Sequence, residues 1–294
     1  MKIGALEAGG TKMVCAVGDA DGSIYDQIVI PTEKPEVTIP RIVQYFKDHK
    51  VESLGVGCFG PIDLNKNSLT YGYITNTPKL EWRNYNIIGH LREALQVPIE
   101  FDTDVNGSVL GEVIFGCAKK QDCVIYITVG TGVGIGAYIN GKLLHGMMHP
   151  EAGHMLLKKE IDDTYRGKCP YHNSCLEGLA SGPAIEERWG SKGNELEEKA
   201  EVWELEANYL AQAIINIIYT YSPQKVILGG GVMHQEQLFS LIRKRVLELN
   251  ANYITCDELL NIADYIVPAS LCDNQGILGA LALGYGAYKT MNKN

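Results

Sequence analysis

One short pattern occurs twice in this chain, and the repeat constrains the fold more than any other feature. Each copy has an apolar segment of strand length, a loop of glycine and threonine, a second strand-like segment, a turn and a third such segment. The first copy begins at residues 3–8 and the second at residues 123–129, about 120 residues later. Segments with helical spacing at 37–49 and 196–221 follow the two copies. The repeat therefore predicts an α/β protein with two similar halves, each of which presents a glycine loop.

Both loops have the composition of anion-binding loops. Glycines let backbone N–H groups approach an anion, and Thr11 and Lys12 add a hydroxyl group and a positive charge. Tight hairpins use the same residue types, and the Walker pattern is absent, so either loop alone is weak evidence. Two loops that face one another would hold a polyphosphate, and the repeat favours this interpretation. The residues concerned are Gly9, Gly10, Thr11 and Lys12 in the first copy, and Gly130, Thr131 and Gly132 in the second.

A third glycine run lies later in the chain. A strand-like segment at 225–228 leads into Gly229-Gly230-Gly231, and a helical pattern follows. This run could receive an adenosine, or it could form a tight strand-to-helix turn, and its sequence leaves both interpretations open. The last helical pattern, about 275–289, is rich in glycine and alanine, which predicts close packing against another element.

Acidic residues lie at a predicted strand-to-helix junction. A strand pattern at 99–102 is followed by Thr103 and Asp104, where a helical pattern begins. Open α/β sheets bind ligands at the carboxyl ends of their strands, so a carboxylate here is a candidate catalytic group. The alternative is a helix cap, because Asp and Thr are favoured there in any protein. Asp102 competes with Asp104 for the catalytic role.

A cysteine- and histidine-rich segment predicts a metal site. Two thiolates and two imidazoles suit tetrahedral zinc, and such a site is closed and structural because no position remains for catalysis. Glu151 and Glu177 lie on either side, so a metal would fix two acidic side chains relative to each other. A redox thiol pair with surface histidines is the alternative. The four predicted ligands are His154 and, in a C-x2-H-x2-C pattern, Cys169, His172 and Cys175.

Composition limits the classes of function. A chain of 294 residues with 46% hydrophobic residues can form two compact domains or one large α/β domain. The net charge of −9 argues against a general nucleic-acid binder, and no apolar run approaches the roughly 20 residues of a membrane span. The chain enters a strand pattern without a signal-peptide layout, which predicts a cytoplasmic protein. Six further cysteines lie among apolar residues and are predicted to be buried: Cys15, Cys58, Cys117, Cys123, Cys256 and Cys272.

Together these residues resemble the ROK family (repressors and sugar kinases) of the actin-like ATPase superfamily, and within it the fructokinase branch. The resemblance covers essentially the whole chain, and its motifs are highly specific in combination. They are Glu7-Ala8-Gly9-Gly10-Thr11-Lys12, Asp104-Val105-Asn106 with Gly111-Glu112, residues 128–136, Glu151-Ala152-Gly153-His154, the Cys169/His172/Cys175 cluster and Gly229-Gly230-Gly231.

The resemblance implies an architecture and a set of ligands. The fold would be α/β, with two actin-like (ribonuclease H-like) domains, a ligand cleft between them and a zinc-stabilised loop. The N-terminal domain would comprise residues 1–116, with the C-terminal helix 273–294 packing back on it. Residues 117–272 would form the C-terminal domain with the zinc-binding insertion. The implied cofactors are ATP, Mg²⁺ and structural Zn²⁺. The implied partners are a hexose and a second copy of the chain, in a homodimer, but neither nucleic acid nor a membrane.

Residues that match the family motifs take the family's roles as expectations. Asp104 corresponds to the catalytic base, which accepts a proton from the sugar hydroxyl, at C6, as that oxygen attacks the γ-phosphate of ATP. The resemblance therefore favours Asp104 over Asp102. The two glycine loops correspond to phosphate-binding loops, and Gly229, Gly230 and Gly231 to a loop on the nucleotide side. One imidazole nitrogen of His154 can bind zinc while the other faces the sugar. The implied sugar ligands are Thr103, Glu151, His154 and Glu177.

Two departures from the family pattern matter. Glu7 stands where many members have Asp, which predicts a slightly different metal and phosphate geometry on that side. Thr103 stands where many members have an Asn that normally touches the sugar, so glucose is not favoured. Thr103 and the loop with Thr77-Pro78-Lys79 and Trp82 resemble the fructokinase branch. The predicted reaction is thus phosphorylation of fructose to fructose 6-phosphate, with mannose as a side substrate. The alternatives are a mannokinase, a glucokinase, an N-acetylhexosamine kinase, or a sugar-sensing regulator. Regulators of the family carry an N-terminal helix-turn-helix, whereas here a strand pattern starts at residue 2.

Overall fold

Ten strands in two five-stranded sheets form the framework of the computed structural model, which describes residues 1–292. They are β1 (Ile3–Ala8), β2 (Lys12–Gly18), β3 (Ile24–Pro31), β4 (Ser53–Cys58), β5 (Ile99–Thr103), β6 (Cys123–Val129), β7 (Val133–Ile139), β8 (Lys142–Leu143), β9 (Lys225–Gly229) and β10 (Ile266–Pro268). The first sheet has the order β3-β2-β1-β4-β5, and the second has the matching order β8-β7-β6-β9-β10.

The strand directions also match between the two sheets. Strand β1 is antiparallel to β2 and parallel to β4, and β6 is likewise antiparallel to β7 and parallel to β9. A short glycine loop can join only antiparallel neighbours, whereas a parallel neighbour requires a long crossover connection. The prediction of two similar α/β halves, each with a glycine loop after its first strand, is confirmed.

Helices connect and cover these strands. They are α1 (Pro35–His49), α2 (Ile87–Leu95), α3 (Asp104–Ile114), α4 (Leu176–Ala180), α5 (Gly182–Trp189), α6 (Ala200–Tyr221), α7 (Gln237–Asn250), α8 (Asp257–Leu260), α9 (Ile262–Tyr265) and α10 (Gln275–Met291). Short 3-10 helices lie at Leu80–Trp82, Ala152–His154, Gly193–Glu195 and Gly231–His234. Among the described residues, no helix combines the length and apolar character that a membrane crossing requires.

The chain divides into two compact units, each with one of the sheets. Residues 1–119, 143–149 and the described part of 270–294 form the first unit. Residues 120–142 and 150–269 form the second. The domain boundaries predicted between residues 116 and 117, and between 272 and 273, remain our proposal.

The first sheet has helices on both faces. Successive side chains of a strand point to opposite faces, and β1 divides its residues accordingly. Leu6 packs in a cluster with Phe46 of α1, whereas Ile3 and Ala5 pack in another cluster with Ile277 of α10. Strand β1 is therefore buried on both sides, and the short loop that follows it is held by a rigid element.

Helix α10 lies close enough to its neighbours for their backbones to touch. A Cβ atom at Gly55 of β4 would lie 1.8 Å from Ala280 O, and one at Gly279 would lie 1.7 Å from Gly107 O of α3. Neither position leaves room for a side chain. The glycine- and alanine-rich composition of this segment predicted close packing, and its partners are β1, β4 and α3.

The prediction that all six cysteines outside the metal-like segment are buried was wrong. Cys15 and Cys58 are buried in strands, but the other four are exposed or partly exposed: Cys117, Cys123, Cys256 and Cys272. Cys272 lies in a turn with a φ of 51°. Apolar neighbours along the chain do not by themselves bury a residue: Cys117 and Cys272 lie in turns, and Cys123 lies at the very start of β6.

Candidate active site

Asp104 is the first residue of α3 and directly follows β5. The helix cap is provided by Thr103, whose Oγ1 accepts a hydrogen bond from Asn106 N at 3.1 Å. Asp104 Oδ1 accepts a hydrogen bond from Val105 N at 2.9 Å. Burial raises the pKa of Asp104 to about 6, while backbone hydrogen bonds oppose this shift. The capping role thus belongs to Thr103, and Asp104 is a carboxylate suited to accept a proton near neutral pH.

Asp102, the competing carboxylate, is committed to a hydrogen-bond network. Its Oδ1 accepts hydrogen bonds from Thr103 N and Asn106 Nδ2, both at 2.8 Å. Its Oδ2 lies 2.8 Å from His145 Nε2. The hydrogen bond with Asp102 raises the pKa of His145, although partial burial opposes the shift. Because Asp102 is almost fully buried and has these partners, it holds the start of α3 and is a poorer candidate base than Asp104.

The first glycine loop is a tight turn held by the chain that follows β3. Gly9 N donates to Lys12 O at 3.0 Å, which closes the turn. Thr32 donates from Oγ1 to Gly9 O at 2.8 Å and from its backbone N to Thr11 O at 3.0 Å. The side chains of Thr11 and Lys12 are therefore carried by a fixed loop on the surface of the first unit.

Glu7 adds a second acidic group on the same sheet, at the end of β1. Burial raises the pKa of Glu7 to about 7, the Asp104 carboxylate adds to the shift, and Lys12 opposes it. The carboxylates of Glu7 and Asp104 therefore repel each other when both are ionised. A cation between two such carboxylates would favour their ionised forms.

The second glycine loop and the third glycine run line one cavity of about 560 Å³ within the second unit. Gly130 and Thr131 contribute to its wall from one side and Gly231 from another. Gly130 N donates to Gly132 O at 2.9 Å. Gly230 has a φ of 90°, and a Cβ there would lie 2.5 Å from Val129 O, so glycine is required at this position. The structure thus brings together two loops that the sequence separates by about 100 residues.

The four predicted metal ligands come together in the second unit. Their ligand atoms all lie within 4.8 Å of one another. Cys169 Sγ lies 3.7 Å from His154 Nδ1 and 3.6 Å from His172 Nδ1, and Cys175 Sγ lies 3.7 Å from His154 Nδ1. Tetrahedral zinc with ordinary bond lengths separates a sulfur from a nitrogen ligand by about 3.6 Å. The distances are therefore compatible with a zinc ion, and both histidines direct Nδ1 toward a cysteine sulfur.

The cluster is joined directly to the helix that carries Glu177. Cys175 caps α4, since its Sγ accepts a hydrogen bond from Gly178 N at 3.3 Å. Glu177 lies in the first turn of α4, and its Oε2 accepts a hydrogen bond from Val133 N at 3.1 Å. A Cβ at Gly132 would lie 2.7 Å from the same oxygen. Glu177 thus contacts the second glycine loop, an arrangement that the sequence did not indicate.

Glu151 lies on the other side of the cluster. It precedes the 3-10 helix Ala152–His154, and its carbonyl oxygen accepts a hydrogen bond from His154 N at 3.0 Å. The Glu151 side chain is exposed, whereas His154 is half-buried. Within the second unit, the structure therefore collects the Cys/His cluster, Glu177 and a glycine loop. Within the first unit, it collects Thr103, Asp104, Glu7 and the other glycine loop.

Comparison with known proteins agrees with this arrangement. The family model described as "ROK family" matches residues 3–286, which is nearly the whole chain. The chain belongs to the ROK family. The resemblance inferred from the sequence motifs is confirmed.

Two relatives and one solved structure are representative of the ROK proteins similar to this chain. A Bacillus subtilis (strain 168) protein, provisionally named a fructokinase, is 50% identical over 286 residues, which cover 97% of this chain and 96% of the relative. The "Fructokinase" of Pediococcus pentosaceus is 43% identical over 289 residues, 98% of this chain and 99% of its own. A ROK family glucokinase from Streptomyces griseus, solved in complex with glucose and AMPPNP, superposes with a TM-score of 0.76. It is 23% identical, over 97% of this chain and 100% of its own, and shares the fold.

Sequence reasoning missed one residue at this ROK site. His145 lies 43 residues from Asp102 along the chain, in a segment with no helical or strand pattern. Its only sequence signal is a polar histidine shortly after the turn that follows β7. The segment 143–149 belongs to the first unit although it follows strands of the second, and His149 is fixed there because its Nε2 accepts a hydrogen bond from Ile62 N at 3.1 Å.

Proposed function

We propose that this chain is an ATP-dependent fructokinase that converts fructose to fructose 6-phosphate. The observation that carries the proposal is the identity of 43–50% with fructokinase-named relatives over nearly the full length of both chains. The candidate site supports the same chemistry, because a phosphotransferase needs a positioned base and loops that receive phosphate groups.

Asp104 is the proposed base. Its carboxylate accepts the proton of the fructose C6 hydroxyl as that oxygen attacks the γ-phosphorus. The new O–P bond forms while the bond between the γ-phosphorus and the bridging oxygen of ADP breaks, so ADP leaves with the electron pair. The transition state is loose, so Asp104 mainly orients the hydroxyl group while surrounding charges lower the barrier. A pKa of about 6 keeps Asp104 ionised at neutral pH.

The glycine loops are the proposed phosphate and nucleotide contacts. Gly9, Gly10, Thr11 and Lys12 offer backbone N–H groups, a hydroxyl and a positive charge to the phosphates. The cavity bounded by Gly130, Thr131 and Gly231 has a volume suited to the adenosine part of ATP. The Streptomyces griseus relative was solved with an ATP analogue, AMPPNP, which agrees with ATP as the donor here.

Mg²⁺ is proposed as the metal that accompanies ATP. Oxygen ligands suit this ion, and Glu7 is the carboxylate next to the first glycine loop. Burial and the Asp104 carboxylate raise the pKa of Glu7, and a cation bound nearby would lower it. When bound, Mg²⁺ would neutralise charge that develops on the phosphate oxygens.

A structural zinc ion is proposed for His154, Cys169, His172 and Cys175. The sulfur-to-nitrogen distances of 3.6–3.7 Å support this assignment. The metal would stiffen α4 through its capping residue Cys175 and would orient the His154 ring, whose Nε2 then remains for the sugar.

The sugar contacts remain predictions carried over from the family. Thr103, Glu151, His154 and Glu177 are the proposed hydroxyl ligands, and fructose is the proposed hexose. We also retain the homodimer and the cytoplasmic location as proposals.

The test is an ATP-coupled ADP-release assay on purified, zinc-replete protein with fructose, mannose, glucose and N-acetylated hexoses side by side. We expect the highest kcat/KM for fructose and a lower value for mannose. A preference for another hexose would retain the phosphotransfer and reject fructose. Sugar binding without ADP release in every case would reject a kinase and favour a sugar-sensing regulator.

A further inference from the structure

We propose that Lys79 is a further catalytic residue of this site, and that its ammonium group binds the transferring γ-phosphoryl group above the first glycine loop. The inference rests on the proposed kinase function but concerns a residue that the family motifs of the sequence did not assign to catalysis. Lys79 belongs to the irregular loop between β4 and α2, which the sequence marked only as a feature related to substrate choice.

The Lys79 side chain lies directly over the first glycine loop. A Cβ atom at Gly10 would lie 2.9 Å from Lys79 Cε and 3.9 Å from Lys79 Nζ. Gly10 is not among the described glycines with positive φ, so its backbone conformation does not by itself require glycine. The space above Gly10 is instead occupied by the lysine side chain. A side chain at position 10 would displace the end of Lys79.

The ammonium group of Lys79 is not used by the fold. Among the described residues, none forms an ion pair with Lys79, and its only hydrogen bonds are made by its backbone. By contrast, the ammonium group of Lys34 forms an ion pair with Glu81, with Lys34 Nζ 3.6 Å from Glu81 Oε1. A half-buried lysine held over an anion-binding loop without a carboxylate partner is suited to bind the anion itself.

The loop that carries Lys79 is rigid at this point. Thr77 is buried, and its Oγ1 accepts a hydrogen bond from Lys79 N at 3.3 Å. Arg83 donates from Nη2 to Thr77 O at 3.1 Å. Trp82, which is 2% exposed, donates from its backbone N to Lys79 O at 2.9 Å. The Lys79 backbone is therefore fixed on both sides.

The same loop is tied to the glycine loop through residues 32–33. Trp82 Nε1 donates to Glu33 O at 2.8 Å. The neighbouring Thr32 makes the two hydrogen bonds to Gly9 O and Thr11 O described above. A series of hydrogen bonds thus sets the distance between Lys79 and the first glycine loop. Such preorganisation is what a residue needs in order to stabilise charge in a transition state.

The proposed role is electrostatic. The three equatorial oxygens of the transferring group carry negative charge throughout the reaction, and a lysine ammonium can contact them without bond formation. Lys79 neither gains nor loses a proton in the step. Lys12 begins β2 directly after the turn, so the same loop offers the phosphates a second positive charge.

The experiment compares Lys79→Met and Lys79→Gln with the control Lys34→Met, because methionine retains an apolar stem of similar length. At fixed Mg²⁺, we expect both Lys79 variants to lower kcat by about 10²–10³-fold, the usual effect of removing one transition-state donor. The control should keep wild-type kcat, and all variants should keep the wild-type KM for fructose.

Binding of nucleotides provides the sharper readout. Isothermal titration of AMPPNP and of ADP should show a loss of affinity of about tenfold or more for AMPPNP in the Lys79 variants, with ADP affected less than about threefold, because only AMPPNP has a γ-phosphate. Equal losses for both nucleotides, or wild-type AMPPNP affinity, would overturn the proposal. If the wild-type protein fails to phosphorylate fructose, the proposed function is wrong, but the ratio of the two affinities still tests Lys79.

Discussion

Replacement of Asp104 by asparagine should stabilise the protein while it removes most of the activity. The substitution keeps the shape of the side chain and removes its charge. Burial raises the pKa of Asp104 from 3.8 to about 6, which means that the folded protein disfavours the ionised carboxylate. A functional group held in an unfavourable environment is expected where activity requires it.

The magnitude follows from proton linkage. Between about pH 3.8 and 6 the folded state binds more protons at Asp104 than the unfolded state does, so the free energy of unfolding falls as the pH rises through this window. Above pH 6 the whole loss of stability is present. One pKa unit corresponds to about 1.36 kcal/mol, so the difference between 3.8 and about 6 corresponds to about 3 kcal/mol. Because Asp104 retains some exposed surface, we expect a gain of about 1–3 kcal/mol for Asp104→Asn at pH 8 and almost none at pH 3.

Turnover should change in the opposite direction. Loss of a general base typically lowers kcat by about 10²–10⁴-fold. In the wild-type protein, activity should rise with pH as Asp104 ionises near pH 6. Urea unfolding at several pH values measures the stability, and the ADP-release assay measures kcat.

Asp102→Asn is the matched control for this experiment. The same change, two residues away, replaces a carboxylate that accepts hydrogen bonds from Thr103, Asn106 and His145, so we expect a loss of stability of about 1–3 kcal/mol. If Asp104→Asn retained near-normal turnover, or were less stable than the wild type at pH 8, our account of Asp104 would be refuted.

Two further substitutions test the second unit. Cys169→Ala should release zinc and lower both thermal stability and sugar affinity, because one of two thiolates is lost; metal analysis of the purified variant checks this, and unchanged zinc content would remove Cys169 from the ligand set. Glu177→Gln should raise the KM for the sugar more than the KM for ATP in steady-state assays. A larger rise for ATP would indicate that Glu177 acts through its contact with Gly132 and the second glycine loop.

The sequence predicted the framework of the fold because the framework depends on local patterns. Strand-length apolar segments separated by glycine loops define consecutive antiparallel strands, and their repetition gave two sheets with the same strand order. Helix positions were also predicted well, although α6 begins at Ala200 and not at residue 196. The first residues of that segment instead form turns that side-chain periodicity does not distinguish from a helix.

The Cys/His cluster was predicted for a similar reason. The spacing of Cys169, His172 and Cys175 is short enough to close around one ion, and His154 lies only fifteen residues before Cys169. The sequence could not specify which imidazole nitrogen faces the sulfurs. That choice depends on the orientation of each ring in the folded loop.

Residue types and spacing in the sequence therefore determined the two α/β halves, the glycine loops and the candidate metal ligands. The family resemblance favoured Asp104 over Asp102, but only the tertiary structure gave the physical reason, which is burial and a hydrogen bond between Asp102 and His145, 43 residues away. Only the tertiary structure brought Lys79 over Gly10 and left Cys117 exposed. These properties arise from contacts between segments that are distant along the chain. Desolvation and hydrogen bonding depend on which groups are close in space, and local sequence patterns do not specify this.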